Sequence, residues 1–149
     1  MKPSRAMHLC RRAVGSYSNA SPSHAETDVV RRLLLPGEMR AWLLMQGRDQ
    51  RHSILVLERF VARRPHATRE EQAAALLHDV GKSATSLGWF GRIGATIFGP
   101  CTPRMRTYLE HELIGLRMLE GVSEPRTLRL LSGDCVDDAR EDLLWADET

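Results

Sequence analysis

The chain has 149 residues, of which 42% are hydrophobic, 27% charged and 5% aromatic. That is enough for one domain with a single core, and it excludes a wholly disordered chain. Its longest apolar runs, residues 41–45 and 73–77, are five residues each, against the ~20 that a spanning helix needs. A net charge of +2 is poor grounds for a nucleic-acid binder. Three cysteines, Cys10, Cys101 and Cys135, lie far apart with no C-x-x-C, so neither a disulfide framework nor a zinc ribbon is expected. Their spacing points to a reducing compartment and a cytoplasmic location.

Charge is uneven along the chain. Residues 1–75 carry 13 Lys/Arg against 7 Asp/Glu, and residues 76–149 carry 8 against 12. The cations are 19 arginines and two lysines, Lys2 and Lys82, which singles out Lys82. Residues 1–22 hold four basic residues and no acid, without the apolar stretch of a secretory signal. They read as a disordered basic tail, leaving residues 23–149 as one helical domain.

From Ser23 onward the signals are helical. Ser23 and Glu26 form a capping box ahead of VVRRLLL, and Pro36-Gly37 reads as its stop. Glu38–Gln46 predicts a short second helix. Asp49 reads as the cap of a third, from about Gln50 to Arg64, ended by Pro65. Thr68 and Glu71 form a second capping box, opening a helix through AAALLHD that is expected to end at Gly81. Residues 86–99 carry four glycines and read as a loose helix or helix plus loop. Thr102-Pro103 opens a long helix to about Glu120, closed by Gly121. Ser123–Leu131 and Asp137–Ala146 complete the set. No stretch alternates with period two between turn residues, so the fold class is all-α, a helical bundle.

No phosphate-cradling glycine loop, nucleophile elbow or neighbouring Cys/His pair is present. Six histidines remain. His8, His24 and His66 read as solvated. His78-Asp79 ends an apolar helix, and by itself the dipeptide reads best as a helix C-cap, with the imidazole favourable to the dipole. Adjacent helical residues point ~100° apart, yet at a C-terminal turn both can reach one cation. His52, His111 and Asp147 are further ligand-type side chains on separate predicted helices, and a bundle can gather such groups into its core. Imidazole with carboxylate suits Fe, Mn, Zn or Ni rather than calcium.

These positions resemble a known family. His52, His78-Asp79 and Asp147, the last within W-A-D, are similar to the H…HD…D signature of the HD-domain metal-dependent phosphohydrolases. The longer AALLHDVGK, with Lys82, carries the resemblance further. YLEHELIGLRML resembles the helix that supplies an additional histidine in HDIG-type members. RHSILVLERF through SLGWFGRIGATIFGP resembles small stand-alone bacterial HD proteins, so that the likeness covers roughly residues 28–149. The resemblance implies a compact helical bundle of the HD type with a metal site between helices. His52, His78, Asp79 and Asp147 would be the primary ligands, and His111 would serve a second metal. The ions implied are one or two of Mn, Fe, Ni, Co or Zn, with Mg admissible.

Asp79 is then expected as ligand and proton acceptor, and Lys82 as a point charge on a phosphate oxygen. Arg51 is a further candidate for the substrate's charge, with a solvated role equally open to it. One departure stands out. The stretch RLLSGDCVDDARED has no histidine where related small proteins carry one or two, so Asp134 is a candidate replacement ligand or a member of a polar turn with Ser132 and Gly133. The activity implied is hydrolysis of a nucleotide-like phosphate mono- or diester through a metal-activated water. The alternative is a non-hydrolytic module that senses a nucleotide or a metal. The expected partner is a small phosphorylated ligand, with no membrane span and with a homo-oligomer left open. Trp42, Trp89 and Trp145 read as core or interface. Arg31-Arg32 and Arg63-Arg64 read as ordinary surface arginines, with attraction of an anionic substrate left open to them, and the acidic residues 134–148 as a solvated face.

Overall fold

Two capping boxes set the frame of the bundle. In the computed structural model, which describes residues 21–85, 112–134 and 137–149, Ser23 caps α1 (His24–Leu33), its hydroxyl accepting from the Glu26 N–H while the Glu26 carboxylate accepts from the Ser23 N–H. Thr68 and Glu71 do the same for α4 (Arg69–Leu77). Between them lie α2 (Pro36–Leu43) and α3 (Gly47–Arg63). After α4 come α5 (Val80–Thr85), helical residues 112–119, α6 (Pro125–Ser132) and α7 (Asp138–Glu148). Among the described residues there is no strand, and no helix is long and apolar enough to cross a membrane.

Several predicted boundaries move, each for a local reason. Pro36 does not merely stop α1. It is the first residue of α2, where a missing N–H costs nothing, and Glu38 reaches back to the Leu35 N–H at 2.8 Å. Asp49 does not cap α3. That helix starts two residues earlier at Gly47, and Asp49 lies in its first turn, where a carboxylate still favours the dipole. Gly81 does not end the helix that begins at Thr68. The chain breaks at His78-Asp79 and resumes as α5, with Gly81 inside it. The helix predicted from Ser123 starts at Pro125 with Glu124 as its N-cap, because Pro125 takes the first helical position. The predicted stop at Gly121 holds, with φ +74°, and the helix predicted from Asp137 starts at Asp138, the Asp137 carboxylate capping it by accepting from the Ala139 and Arg140 N–H groups. The basic tail up to residue 20, the glycine-rich stretch 86–99, the Thr102-Pro103 start, Trp89, His111 and all three cysteines lie outside the described residues.

The core is built around α4. Ala73, Ala74, Ala75, Leu76 and Leu77 are all buried, so this helix is enclosed on every side, as an all-round apolar helix must be. It packs against α3, α6, α1 and α2, while α7 lies along α3. Trp42 is buried as expected and donates its indole N–H to Ser53 Oγ at 2.9 Å. Ser53 in turn donates to the Gln50 carbonyl, and Gln50 to the Trp42 carbonyl. That ring of bonds ties the end of α2 to the start of α3. Residues 112–119 approach α5 through a glycine, since a Cβ on Gly115 would lie only 3.2 Å from the Gly81 nitrogen.

One buried carboxylate joins four helices. Glu71, 2% exposed, accepts from Arg64 Nε at 3.0 Å, from Arg126 Nη2 at 2.7 Å and from the Thr68 N–H at 3.0 Å. Burial pushes its pKa up, but Arg126 and Arg64 outweigh that and hold it below the usual carboxylate range. Arg126 also pairs with Asp137 at 2.9 Å, and Arg64 with Asp142 at 3.5 Å. The arginine pair 63–64 is therefore engaged internally. The acidic C-terminal region is not simply a solvated face, because Asp137 and Asp142 bind arginines.

Candidate metal centre

Three separate stretches of chain deliver ligand-type side chains to one place. His52 stands in the second turn of α3, just after the Gln50–Ser53 bonds that fix that end of the helix. His78 is the C-cap of α4, and Asp79 is the residue between α4 and α5. Asp147 stands in the last turn of α7. The regular helix ends at Leu77, with His78 still at φ −56° and ψ −30°. His78 Nε2 lies 3.4 Å from Asp79 Oδ2.

Asp147 closes the group. Its Oδ1 is 2.9 Å from His52 Nε2, a residue 95 positions away, and 3.1 Å from His78 Nε2. The two imidazole centroids are 5.5 Å apart, and one donor atom each from His52, His78 and Asp79 lie within 4.8 Å of one another. His78 and Asp79 form a floor, their side chains 11% and 12% exposed, while His52 and Asp147 form a rim at 36% and 41%. The site is open to solvent on the rim side. Lys82 stands there too, half exposed, donating to Asp79 Oδ2 at 2.7 Å.

The electrostatics follow from this layering. Burial pushes the His78 ring down, but Asp147 and Asp79 outweigh it and raise its pKa to about 9. Burial pushes Asp79 up, and His78 with Lys82 brings it down to about 2. Hydrogen bonds to His52 and His78 hold Asp147 well below the ordinary carboxylate range. Without a cation, then, a positive charge on His78 stands between two carboxylates.

The donor set fits a transition-metal ion. His78 Nδ1 meets the Ala75 carbonyl at 2.9 Å, which makes Nδ1 the donor and turns Nε2 inward. That Nε2 is buried yet makes no aligned hydrogen bond: Asp147 is near enough, but off the N–H direction. A first-row ion with bonds of about 2.0–2.2 Å holds adjacent donors roughly 3.0–3.5 Å apart, which is the spacing of the contacts given above. A carbonyl fixing the far nitrogen of the ring is the usual support for a metal-binding histidine.

The other candidates fall elsewhere. Asp134 lies in the polar turn after α6, its N–H donating to Ser132 Oγ at 3.3 Å with Gly133 at φ +78°. It is not one of the gathered residues. Arg51 is half-buried on α3 beside His52. The arginine whose contact leads toward the site is one the sequence did not single out. Arg59, seven residues after His52, donates to the Ala146 carbonyl at 3.3 Å. The two-turn spacing from His52 is the signal that would have found it. Trp145 is 41% exposed, with the Arg63 guanidinium 4.8 Å over its ring. In comparisons with known proteins, the chain matches no family model, no curated protein and no solved structure.

Proposed function

We propose that this protein is a metal-dependent phosphohydrolase of the HD type, acting on a nucleotide-like phosphate ester. The observation that carries the reading is the convergence of His52, His78, Asp79 and Asp147 from three stretches of chain, with donor contacts of 2.9, 3.1 and 3.4 Å. The likeness of AALLHDVGK and of the H…HD…D spacing to HD-domain enzymes supports it independently. His52, His78, Asp79 and Asp147 would hold one divalent ion, of which Mn, Fe, Co, Ni and Zn suit mixed imidazole and carboxylate donors. Such an ion supplies Lewis acidity toward a phosphoryl oxygen and a water acidic enough to ionise near neutral pH.

The chain's own groups divide the remaining work. Asp79, low in the site with its Oδ2 at 3.4 Å from His78 Nε2, would supply charge and a ligand oxygen and is the group proposed to accept a proton. Lys82, on the open side at 2.7 Å from Asp79, is placed to offset charge on a phosphoryl oxygen that enters from the rim.

A second reading has an observation in its favour. Among the described residues, one group of metal-ligating side chains is found, and Asp134 stands apart from it. A single-ion site suits an HD-type module that binds a nucleotide or metal without turnover as well as it suits hydrolysis. The deciding experiment is elemental analysis of untagged protein purified without chelator, wild type against Asp79→Ala, with hydrolysis of p-nitrophenyl phosphate mono- and diesters and a nucleotide panel. One ion per chain, lost together with turnover in the variant, is the expected result. Binding without product across the panel selects the sensing module. No ion even after Mn or Fe is supplied, or unchanged turnover in Asp79→Ala, overturns the metal reading.

A further inference from the structure

Asp147 is the most exposed of the four gathered groups. It stands on the last turn of α7, 41% exposed, and the last carbonyls of a helix have no partner within it. In this turn the carbonyls are nevertheless held. The Trp145 carbonyl accepts from the Thr149 hydroxyl at 2.7 Å, and the Ala146 carbonyl accepts from Arg59 Nη1 at 3.3 Å. The second bond comes from another helix, and from the helix that carries His52.

The geometry of α3 makes that contact natural. Seven residues are nearly two whole turns, so Arg59 and His52 share a face. A long helical side chain leans toward its own N-terminus, so Arg59 runs back along α3 in the direction of His52 and meets the peptide just before Asp147. A cation at a helix C-terminus is also favourable to the dipole. Besides the His52–Asp147 contact itself, the other polar ties between α3 and α7 act farther back: Arg63 and Arg64 bind Asp142, and Arg63 lies over Trp145.

We propose that Arg59 is a positioning residue for Asp147, fixing the last turn of α7 against α3 so that the carboxylate falls between His52 and His78. Its consequence for a bound metal rests on the function proposed above. Its consequence for the turn does not.

The test uses the full chain and three variants: Arg59→Ala, Arg59→Lys, and Arg63→Ala as a control on the same helix pair. In metal-free protein, amide hydrogen exchange of the segment 143–149 is expected to quicken about tenfold or more in Arg59→Ala, with residues 69–77 unchanged and Arg59→Lys largely restoring protection. Unchanged exchange in 143–149 overturns the proposal. Titration with cobalt(II) alone is expected to show a 10–100-fold weaker affinity in Arg59→Ala and near wild-type affinity in Arg63→Ala. Unaffected cobalt affinity in Arg59→Ala, or an equal loss in Arg63→Ala, overturns the link to the site. If wild type takes up no cobalt, the metal reading fails while the exchange result still decides the role of Arg59.

Discussion

Removing the Glu71 carboxylate tests the largest electrostatic commitment in the fold. Glu71 is 2% exposed and receives Arg64 from the end of α3, Arg126 from α6 and the N–H of its own helix cap. In Glu71→Ala two guanidiniums lose their shared partner, and the Thr68 N–H loses its acceptor. Breaking a buried ion pair from one side costs about 3–5 kcal/mol. Arg64 and Arg126 are 30% and 34% exposed, so water relieves part of their loss and the lower end of that range is expected. For a chain of this length, 1 kcal/mol moves Tm by about 2–4 °C, so a fall of roughly 10 °C follows. Glu71→Gln keeps an acceptor oxygen and should lose about half as much.

The pH dependence has a definite sign. Glu71 is depressed when folded, so its contribution is fully present above the unfolded carboxylate pKa of about 4.3 and is lost as pH falls through the folded value. The assay is urea unfolding of wild type and both variants from pH 7 down to pH 3. Wild type should lose stability faster than Glu71→Gln as acid is added, and the two curves should draw together. A Tm within 2 °C of wild type for Glu71→Ala, or parallel acid dependence in Glu71→Gln, would refute the claim that this node holds the four helices.

Other expectations concern the site and its supports. In metal-free protein the proton on His78 is held up to about pH 9, so its stabilising effect is complete below about 6.5 and is lost as pH rises through 9. A cation must displace that proton, and cobalt(II) affinity should therefore climb by up to about tenfold per pH unit between 7 and 9. A flat isothermal titration profile over that range would argue against His78 as a ligand. Gly115→Leu forces a side chain into the 3.2 Å approach to Gly81 and should cost about 1–3 kcal/mol in denaturant unfolding. Trp42→Phe takes the indole donor from Ser53 and leaves a gap where the larger ring stood, an expected loss of about 1–3 kcal/mol. No measurable change in its unfolding midpoint would show that bond to be idle.

Sequence alone determined what is local. Both capping boxes and the stop at Gly121 were legible because each needs only neighbours within four residues and a residue of the right kind. The all-α class was legible because no stretch alternated with period two between turn residues. Four ligand-type residues could also be named from their likeness to a family motif. Spacing along the chain could not say that they meet, and on its own it favoured a helix C-cap at His78-Asp79.

Tertiary structure decided the rest, because burial and long-range contact are properties of pairs that the chain does not print side by side. Packing of α7 along α3 carries Asp147 to His52 across 95 residues. α4 ends at Leu77, where sequence placed a continuous helix to Gly81, and His78 and Asp79 share one site just beyond it. Arg64, which looked like surface charge, became structural because Glu71 is buried beneath it, and Arg59, which the sequence did not single out, because a helix end needed a donor. Asp134, a candidate ligand by position, stayed in its turn because Gly133 and Ser132 give that turn a local solution of its own. The Asp147 carboxylate reaches His52 and His78 only because α7 packs along α3, and that packing lies outside anything a local pattern can state.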